Sequence, residues 1–381
     1  MSECQNIHQK VIEYLEENRP RYLAAIRELA RIPAPSNHEE QRAIWCKQYL
    51  ESLGATGVVI DDALNVIFPY HISENSNDLC AILGHTDVVF PDTEPLPFRE
   101  ENGRYYAPGI GDDTTNAVAV MEMAAMAIAL NLQPKTGILF VLNSGEEGLG
   151  NLKGTRQLMK DYGSRISRFY AIDGELDSVV TDAVGSKRWR ITITTEGGHS
   201  FGNFGNRNAI YYAAKMIDTF YSLKAPDFGK TTYNVGLIEG GTSVNTIAQN
   251  CSLMYEYRSN QREGLAYMDT FFQSVIASFR TMGIGVEVEL LGDRPCKGEV
   301  DPSALAKIVT EASLKYGRSR YEECGSTDCN IPLSLGIPAV CVGVVAGAGA
   351  HTREEYVCID SFVKGYRCAF ACILPYFGVE G

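Results

Sequence analysis

The chain has 381 residues, 45% hydrophobic and 21% charged, a composition that excludes a disordered or collagen-like polypeptide and allows two or three domains of about 150 residues each. Asp and Glu outnumber Lys and Arg by 47 to 34, a formal charge of −13 with no basic cluster, which argues against nucleic acid and anionic lipid as partners. The polar start, and the interruption of the longest apolar run (residues 118–130) by Glu122, predict neither signal peptide nor membrane span. Eleven cysteines without a CxxC pair read as reduced, mostly buried thiols of a cytoplasmic protein, with Cys324 and Cys329 the one pair worth testing as metal ligands.

Apolar residues at helical spacing (Ile7, Val11, Leu15, then Tyr22, Leu23, Ile26, Leu29) predict two helices over residues 7–32, divided near Pro20. A third helix passes through Trp45 and Tyr49 to Gly54, and apolar runs at 58–60, 66–69 and 79–83 read as strands. Helix 116–130, strand 137–142, helix 155–162 and strand 169–172 continue an α/β alternation suited to a sheet covered on both faces. From Lys187 the texture changes: strand 189–195, helix 207–223, strands 233–238 and 252–257, helix 264–282 and strand 285–291 follow a β-α-β-β-α-β order, that of a ferredoxin-like α+β domain. Helix 302–316, strand 339–345 and helix 359–376 resume the first pattern. The expected organisation is therefore an α/β domain of residues 1–186 and 297–381, interrupted by an inserted domain of residues 187–296.

The chemistry-bearing residues cluster at predicted strand ends, where α/β proteins place their sites. His85 and Asp87 follow the buried run 79–83 two residues apart, so period two sets them on one face. An imidazole with a nearby carboxylate suits a metal ligand and its orienting partner. Gly109-Ile110-Gly111-Asp112-Asp113 precedes the 116–130 helix like a dinucleotide loop, but the third glycine is Thr114, and adjacent acids would repel a pyrophosphate while suiting a divalent cation. Glu146 and Glu147 follow strand 137–142 between glycines; alone they read as a solvated pair, whereas one ligand and one general base would explain both. Asp173 repeats the strand-end position, and His351 sits in a glycine-rich stretch after strand 339–345. Two histidines and four or five acids at strand ends read as a two-metal site.

Nine segments in order (GHTDVVFP, GIGDDTTNAVA, NSGEEGLG, AIDGE, GGHSFGNFGNRNAI, GGTSVNTIA, YEYRS, GSTDCNIP, AHTREEYV) resemble the co-catalytic di-zinc exopeptidase and deacylase family that includes carboxypeptidase G, peptidase T and aminoacylase-1. The resemblance covers nearly the whole chain and implies a zinc-exopeptidase-like catalytic α/β domain with an inserted dimerisation domain. It implies that His85, Asp112 and Asp173 hold one metal and Asp112, Glu147 and His351 the other, with Asp112 bridging, Glu146 as general base and Asp87 orienting His85. It further implies that the insertion supplies His199, which reaches the partner subunit's site in a homodimer and stabilises an oxyanion, and Asn245 and Arg258, which hold the substrate. Relatives commonly continue the Asp-Asp pair, joined in them by a cis peptide, with Lys-Gly; this chain has Thr114-Thr115, which removes a nearby positive charge.

The resulting expectation is hydrolysis of the amide bond of short peptides by a hydroxide shared between two divalent cations, most simply zinc with cobalt or manganese as substitutes. Cleavage of N-acyl or aryl-amide amino acids is the alternative within the same chemistry. A non-catalytic metal- or peptide-binding module is the rival of a different class, disfavoured because the base position is filled by Glu146.

Overall fold

The computed structural model describes residues 3–315 and 319–378; Tyr316, the expected end of helix 302–316, lies outside the described residues. In chain order the elements are α1 (Glu3–Glu17), α2 (Arg19–Leu29), α3 (Glu40–Ser52), β1 (Val59–Ile60), β2 (Val66–Tyr70), β3 (Leu79–His85), β4 (Arg99–Glu101), β5 (Arg104–Tyr106), α4 (Thr115–Ala129), β6 (Ile138–Asn143), α5 (Lys153–Tyr162), β7 (Ile166–Ala171) and β8 (Ser178–Ala183). They continue with β9 (Gly185–Thr194), β10 (Gly198–His199), α6 (Ala209–Tyr221), β11 (Thr231–Gly240), β12 (Thr246–Ile247), β13 (Asn250–Ser259), α7 (Arg262–Thr281) and β14 (Gly285–Arg294). The last are α8 (Ser303–Lys315), β15 (Tyr321–Gly325), α9 (Asn330–Ser334), β16 (Ala339–Val342), β17 (Gly347–Ala348), β18 (Tyr356–Cys358) and α10 (Phe362–Ile373). The chain divides into two compact units, Met1–Ala183 with Gly298–Gly381, and Val184–Lys297.

The first unit is built on an eight-stranded sheet in the order β1-β2-β6-β3-β7-β16-β8-β15. Its centre, β6, β3, β7 and β16, is parallel, so four consecutive positions present their carboxyl ends on one edge. Every residue of β3 and β6 is buried. Period two divides their side chains: Cys80 and Ile82 join the core under α4 and α10, while Leu79, Ala81 and Leu83 join the core under α5 and α9. Such strands read as unbroken apolar runs, which is why the sequence announced them.

α4 is buried at 13 of its 15 positions. Glu122, the residue that interrupts its apolar run, is itself buried; Arg21 Nη2 at 2.5 Å and Tyr49 OH at 2.8 Å satisfy the carboxylate that burial would otherwise penalise. The helix lies so close to β3 that a Cβ at Gly84 would stand 3.0 Å from Ala117 Cα, and this approach brings the segment before α4 next to His85. A small antiparallel sheet, β17-β18-β5-β4, completes the unit.

The second unit is an antiparallel sheet in the order β11-β13-β9-β14 with α6 and α7 packed on its core around Phe220, Tyr255 and Phe272. That strand order is the one a ferredoxin-like β-α-β-β-α-β chain produces. β10 and β12 form a separate ribbon in the same unit. β11 is an edge strand, and Leu237 and Ile238 on it are 48% and 47% exposed.

Candidate metal centre

The parallel centre of the sheet collects the predicted ligands. His85 ends β3, opposite Asn143 at the end of β6; Glu146 and Glu147 follow that strand, Asp173 follows β7, and His351 comes after β16. Asp112 arrives from the other direction, in a tight turn at Ile110–Thr114 just before α4, and the Asp112–Asp113 peptide is cis. One donor atom each from His85, Asp112 and Asp173 lie within 4.8 Å of one another, and the same holds for Asp112, Glu147 and His351. Asp112 belongs to both groups: its Oδ1 is 3.0 Å from His85 Nε2 and its Oδ2 is 3.1 Å from His351 Nε2, with His351 Nε2 also 3.4 Å from Glu147 Oε2.

The electrostatics describe a site short of positive charge. Burial pushes the Asp173 carboxyl up to about 7, with Asp112 adding like charge against the opposing pull of His85. Burial also raises Glu147, although His351 bonds it, and Glu147 Oε1 is buried without a hydrogen-bond partner. Burial would raise Asp112 too, but the hydrogen bonds from His351 and His85 outweigh it and hold the carboxyl well below the usual range. Conversely, the hydrogen bonds to Asp112 and Glu147 push His351 up to about 10. Each of the two imidazoles turns one nitrogen to the Asp112 carboxylate. Histidine nitrogens and carboxylate oxygens are the donor set of zinc, cobalt or manganese, so the residues present fit a pair of divalent ions.

Asp87 does more than the sequence suggested. Its backbone oxygen is 3.1 Å from His85 Nδ1 and its Oδ1 is 3.4 Å from it, which sets the ring direction. The same carboxylate accepts the Glu146 N–H at 2.9 Å, the Glu147 N–H at 3.0 Å and the Ser36 hydroxyl at 2.7 Å. One buried acid therefore holds His85, Glu146 and Glu147 together.

Several residues of the site escaped sequence reading. Glu355 takes the N–H groups of Gly109 at 2.8 Å, Gly111 at 2.7 Å and Asp112 at 2.9 Å, shaping the turn that carries Asp112. Asp113 Oδ2 accepts the His85 N–H at 2.9 Å. Buried Asp328 takes Asn143 Nδ2 at 2.6 Å and the Thr155 hydroxyl. Arg42, fully buried, donates Nη1 to Thr86 O at 3.0 Å and to Thr114 Oγ1 at 3.1 Å, placing a guanidinium beside Thr114. Asp113 stood in the sequence as the second acid of the Asp112-Asp113 pair; the others are single polar letters in loops or near a helix start, without a local pattern to single them out.

His199, Asn245 and Arg258 belong to the second unit. His199 pairs with Thr246 across the β10–β12 ribbon, and the Ser200 N–H donates to Asn245 O at 2.9 Å, so the first two are neighbours. His199 Nδ1 accepts the N–H groups of Phe201 and Gly202, each at 3.2 Å, which leaves the proton of the neutral ring on Nε2. Arg258, on β13, holds Glu256 through Nε at 3.0 Å and Nη2 at 3.1 Å. Cys324 is exposed and Cys329 buried, and neither belongs to a metal cluster among the described residues. No helix is long and apolar enough to cross a membrane among the described residues.

Comparison with known proteins places these features in context. The family described as peptidase family M20/M25/M40 matches residues 81–374. An uncharacterised protein of Bacillus subtilis (strain 168), YqjE, is 27% identical over 384 residues, spanning 93% of this chain and 98% of that protein. Acetylornithine deacetylase of Myxococcus xanthus is 25% identical over 326 residues, 80% of this chain and 83% of that enzyme. Among solved structures, a tripeptidase of Staphylococcus aureus superposes with a TM-score of 0.76 at 24% identity, covering 95% of this chain and 99% of that one, which establishes the shared fold.

Proposed function

Because the chain belongs to peptidase family M20/M25/M40, and so to a family of hydrolases, we propose that it cleaves the amide bond of short peptides at the cluster centred on Asp112. The observation that carries this reading is the sharing of Asp112 between two three-residue donor groups. His85, Asp112 and Asp173 would hold one divalent ion, and Asp112, Glu147 and His351 a second. Zinc is our choice, with cobalt or manganese as substitutes. Such ions supply Lewis acidity, acidifying a water and polarising a carbonyl.

The chain's own residues do the rest. Glu146, whose N–H is fixed by Asp87, takes the proton of the attacking water and returns it to the leaving amine, a role worth about 10²–10⁴-fold in rate. His199 offers Nε2–H to the developing oxyanion, the tautomer that the two N–H contacts at Nδ1 select. Asn245 and Arg258 hold the substrate, Arg258 through the Nη1 left over by Glu256.

Two chains would pair through the second unit, an association supported by the unpaired edge of β11 with Leu237 and Ile238 exposed. In that homodimer His199 serves the partner's centre. Mixed dimers of His199→Ala and Glu146→Gln chains should then regain activity that neither variant has alone, because one of the two centres receives both intact groups; mixtures no better than their parents would remove His199 from the partner's site. The thiols, mostly buried and outside any disulfide among the described residues, support a reducing, cytoplasmic setting.

Deacylation of N-acyl amino acids uses the same machinery, and the relative from Myxococcus xanthus is named for such a reaction. One feature favours peptides. The cleft that opens onto Asp112 and Asp173 is lined by Glu175, Glu355, Tyr356, Val345, Val357 and small residues, and by no basic side chain among the described residues, a setting that suits the ammonium of a free amino terminus better than an acyl cap. Glu175→Gln should raise KM about 10-fold for peptides with a free amino group and leave N-acetylated substrates unchanged, an effect of about 1.4 kcal/mol. An equal effect on both substrate types would remove this argument, and turnover of acylated substrates alone would move the assignment to deacylation.

A further inference from the structure

Three successive N–H groups of the loop carrying Glu146 end on buried carboxylates. Those of Glu146 and Glu147 reach Asp87, as described above; the third, from Gly145, donates to Glu39 Oε1 at 3.0 Å. Glu39 stands immediately before α3 and is fully buried. Its Oε1 also accepts the Asn37 N–H at 2.9 Å, and its Oε2 pairs with Lys153 Nζ, at the first residue of α5, at 2.8 Å.

Gly145 itself is confined. Its φ of +63° lies in the left-handed region, a Cβ there would stand 2.6 Å from Lys153 Cγ, and its carbonyl accepts the Leu152 N–H at 2.8 Å. Glu39 therefore fixes the amide side of the residue before Glu146, while the start of α5 fixes the carbonyl side and lays the lysine stem along the same glycine. A charged acceptor on a backbone N–H makes a bond about twice as strong as a neutral one, and Lys153 Nζ, 2.8 Å from Oε2, holds the other carboxylate oxygen in place.

We propose that Glu39, locked by Lys153, is a positioning residue for Glu146: it sets Gly145 and through it the direction in which the base leaves the loop. This rests on the reading of Glu146 as general base. A small displacement of a base lowers the rate of proton transfer without weakening substrate binding, so the signature is a loss in kcat at constant KM.

The test is a double-mutant cycle on the metal-loaded enzyme, accompanied by hydrogen–deuterium exchange of residues 143–150 in metal-free protein. Glu39→Ala should lower kcat about 10-fold or more at unchanged KM and unchanged metal content, and should speed exchange in that segment. Glu39→Gln, which keeps an acceptor for Gly145, should recover most of both. In the Glu146→Gln background, Glu39→Ala should cause no further loss, because the group it positions is already gone. An equal fall in both backgrounds, or faster exchange with kcat unchanged, overturns the proposal. Should Glu39→Ala not fold, Lys153→Met breaks the pair from its partly exposed side, and the same fall in kcat at constant KM is expected, an unchanged kcat again overturning it. If Glu146→Gln by itself keeps full kcat, the base assignment is what fails, a result separate from any of these.

Discussion

Glu146→Gln is expected to keep both metal ions and to lose about 10²-fold or more in kcat with little change in KM. The amide has nearly the shape of the carboxylate, and none of the two donor groups includes Glu146, so ion binding has no reason to change. What disappears is the ability to accept a proton. Metal analysis and steady-state kinetics on one preparation check this, and a variant with unaltered kcat would transfer the base role elsewhere.

Asp112→Ala should be more damaging. Asp112 is the one residue common to both donor groups, so its loss leaves each with two ligands and frees His85 and His351 from their shared partner. We expect both ions to be lost and activity to fall to background. The variant also separates metal-linked from intrinsic stability. An ion present at about 1,000 times its dissociation constant stabilises the native state by about 4 kcal/mol, so chelation should lower the Tm of the parent and leave that of Asp112→Ala unmoved. A chelator-sensitive Tm in the variant would show that Asp112 is not the shared ligand.

The contrast between these two acids and the others at the centre explains how much of the molecule was legible. The strands β3 and β6 carry unbroken apolar runs because both faces are covered, and the acids and histidines just past their ends stand out against them. The change of texture at Lys187 was equally readable, since a one-sided antiparallel sheet alternates along β9 and β13 where the central strands of the first unit do not. By contrast β15 (Tyr-Glu-Glu-Cys-Gly) is short, exposed and polar and is held by pairing with β8, distant in sequence, while β4 (Arg-Glu-Glu) is a three-residue polar arm of a hairpin with β5, and neither has the apolar pattern of a strand. The supporting residues were hidden for a related reason. Glu355 and Glu39 act on backbone N–H groups more than a hundred residues away, and a backbone group leaves no letter in the sequence to pair with. Glu122 shows the converse: a charged letter that broke an apolar run belongs to a buried helix because Arg21 and Tyr49, remote in sequence, complete it.

The predicted ligands converge beside the carboxyl ends of the parallel central strands, Asp112 from the turn before α4 and the others from segments that end or follow those strands, and the claim that they act together on a pair of ions is the centre of the account. Its most direct measurement is the metal content of the purified protein, taken alongside hydrolysis of a panel of di- and tripeptides and N-acyl amino acids before chelation, after it, and after metal is restored. Two ions per chain, with peptide release abolished by chelation and recovered on restoration, is the predicted result. Peptide release that survives complete removal of metal, or a single ion per chain at full activity, would contradict it.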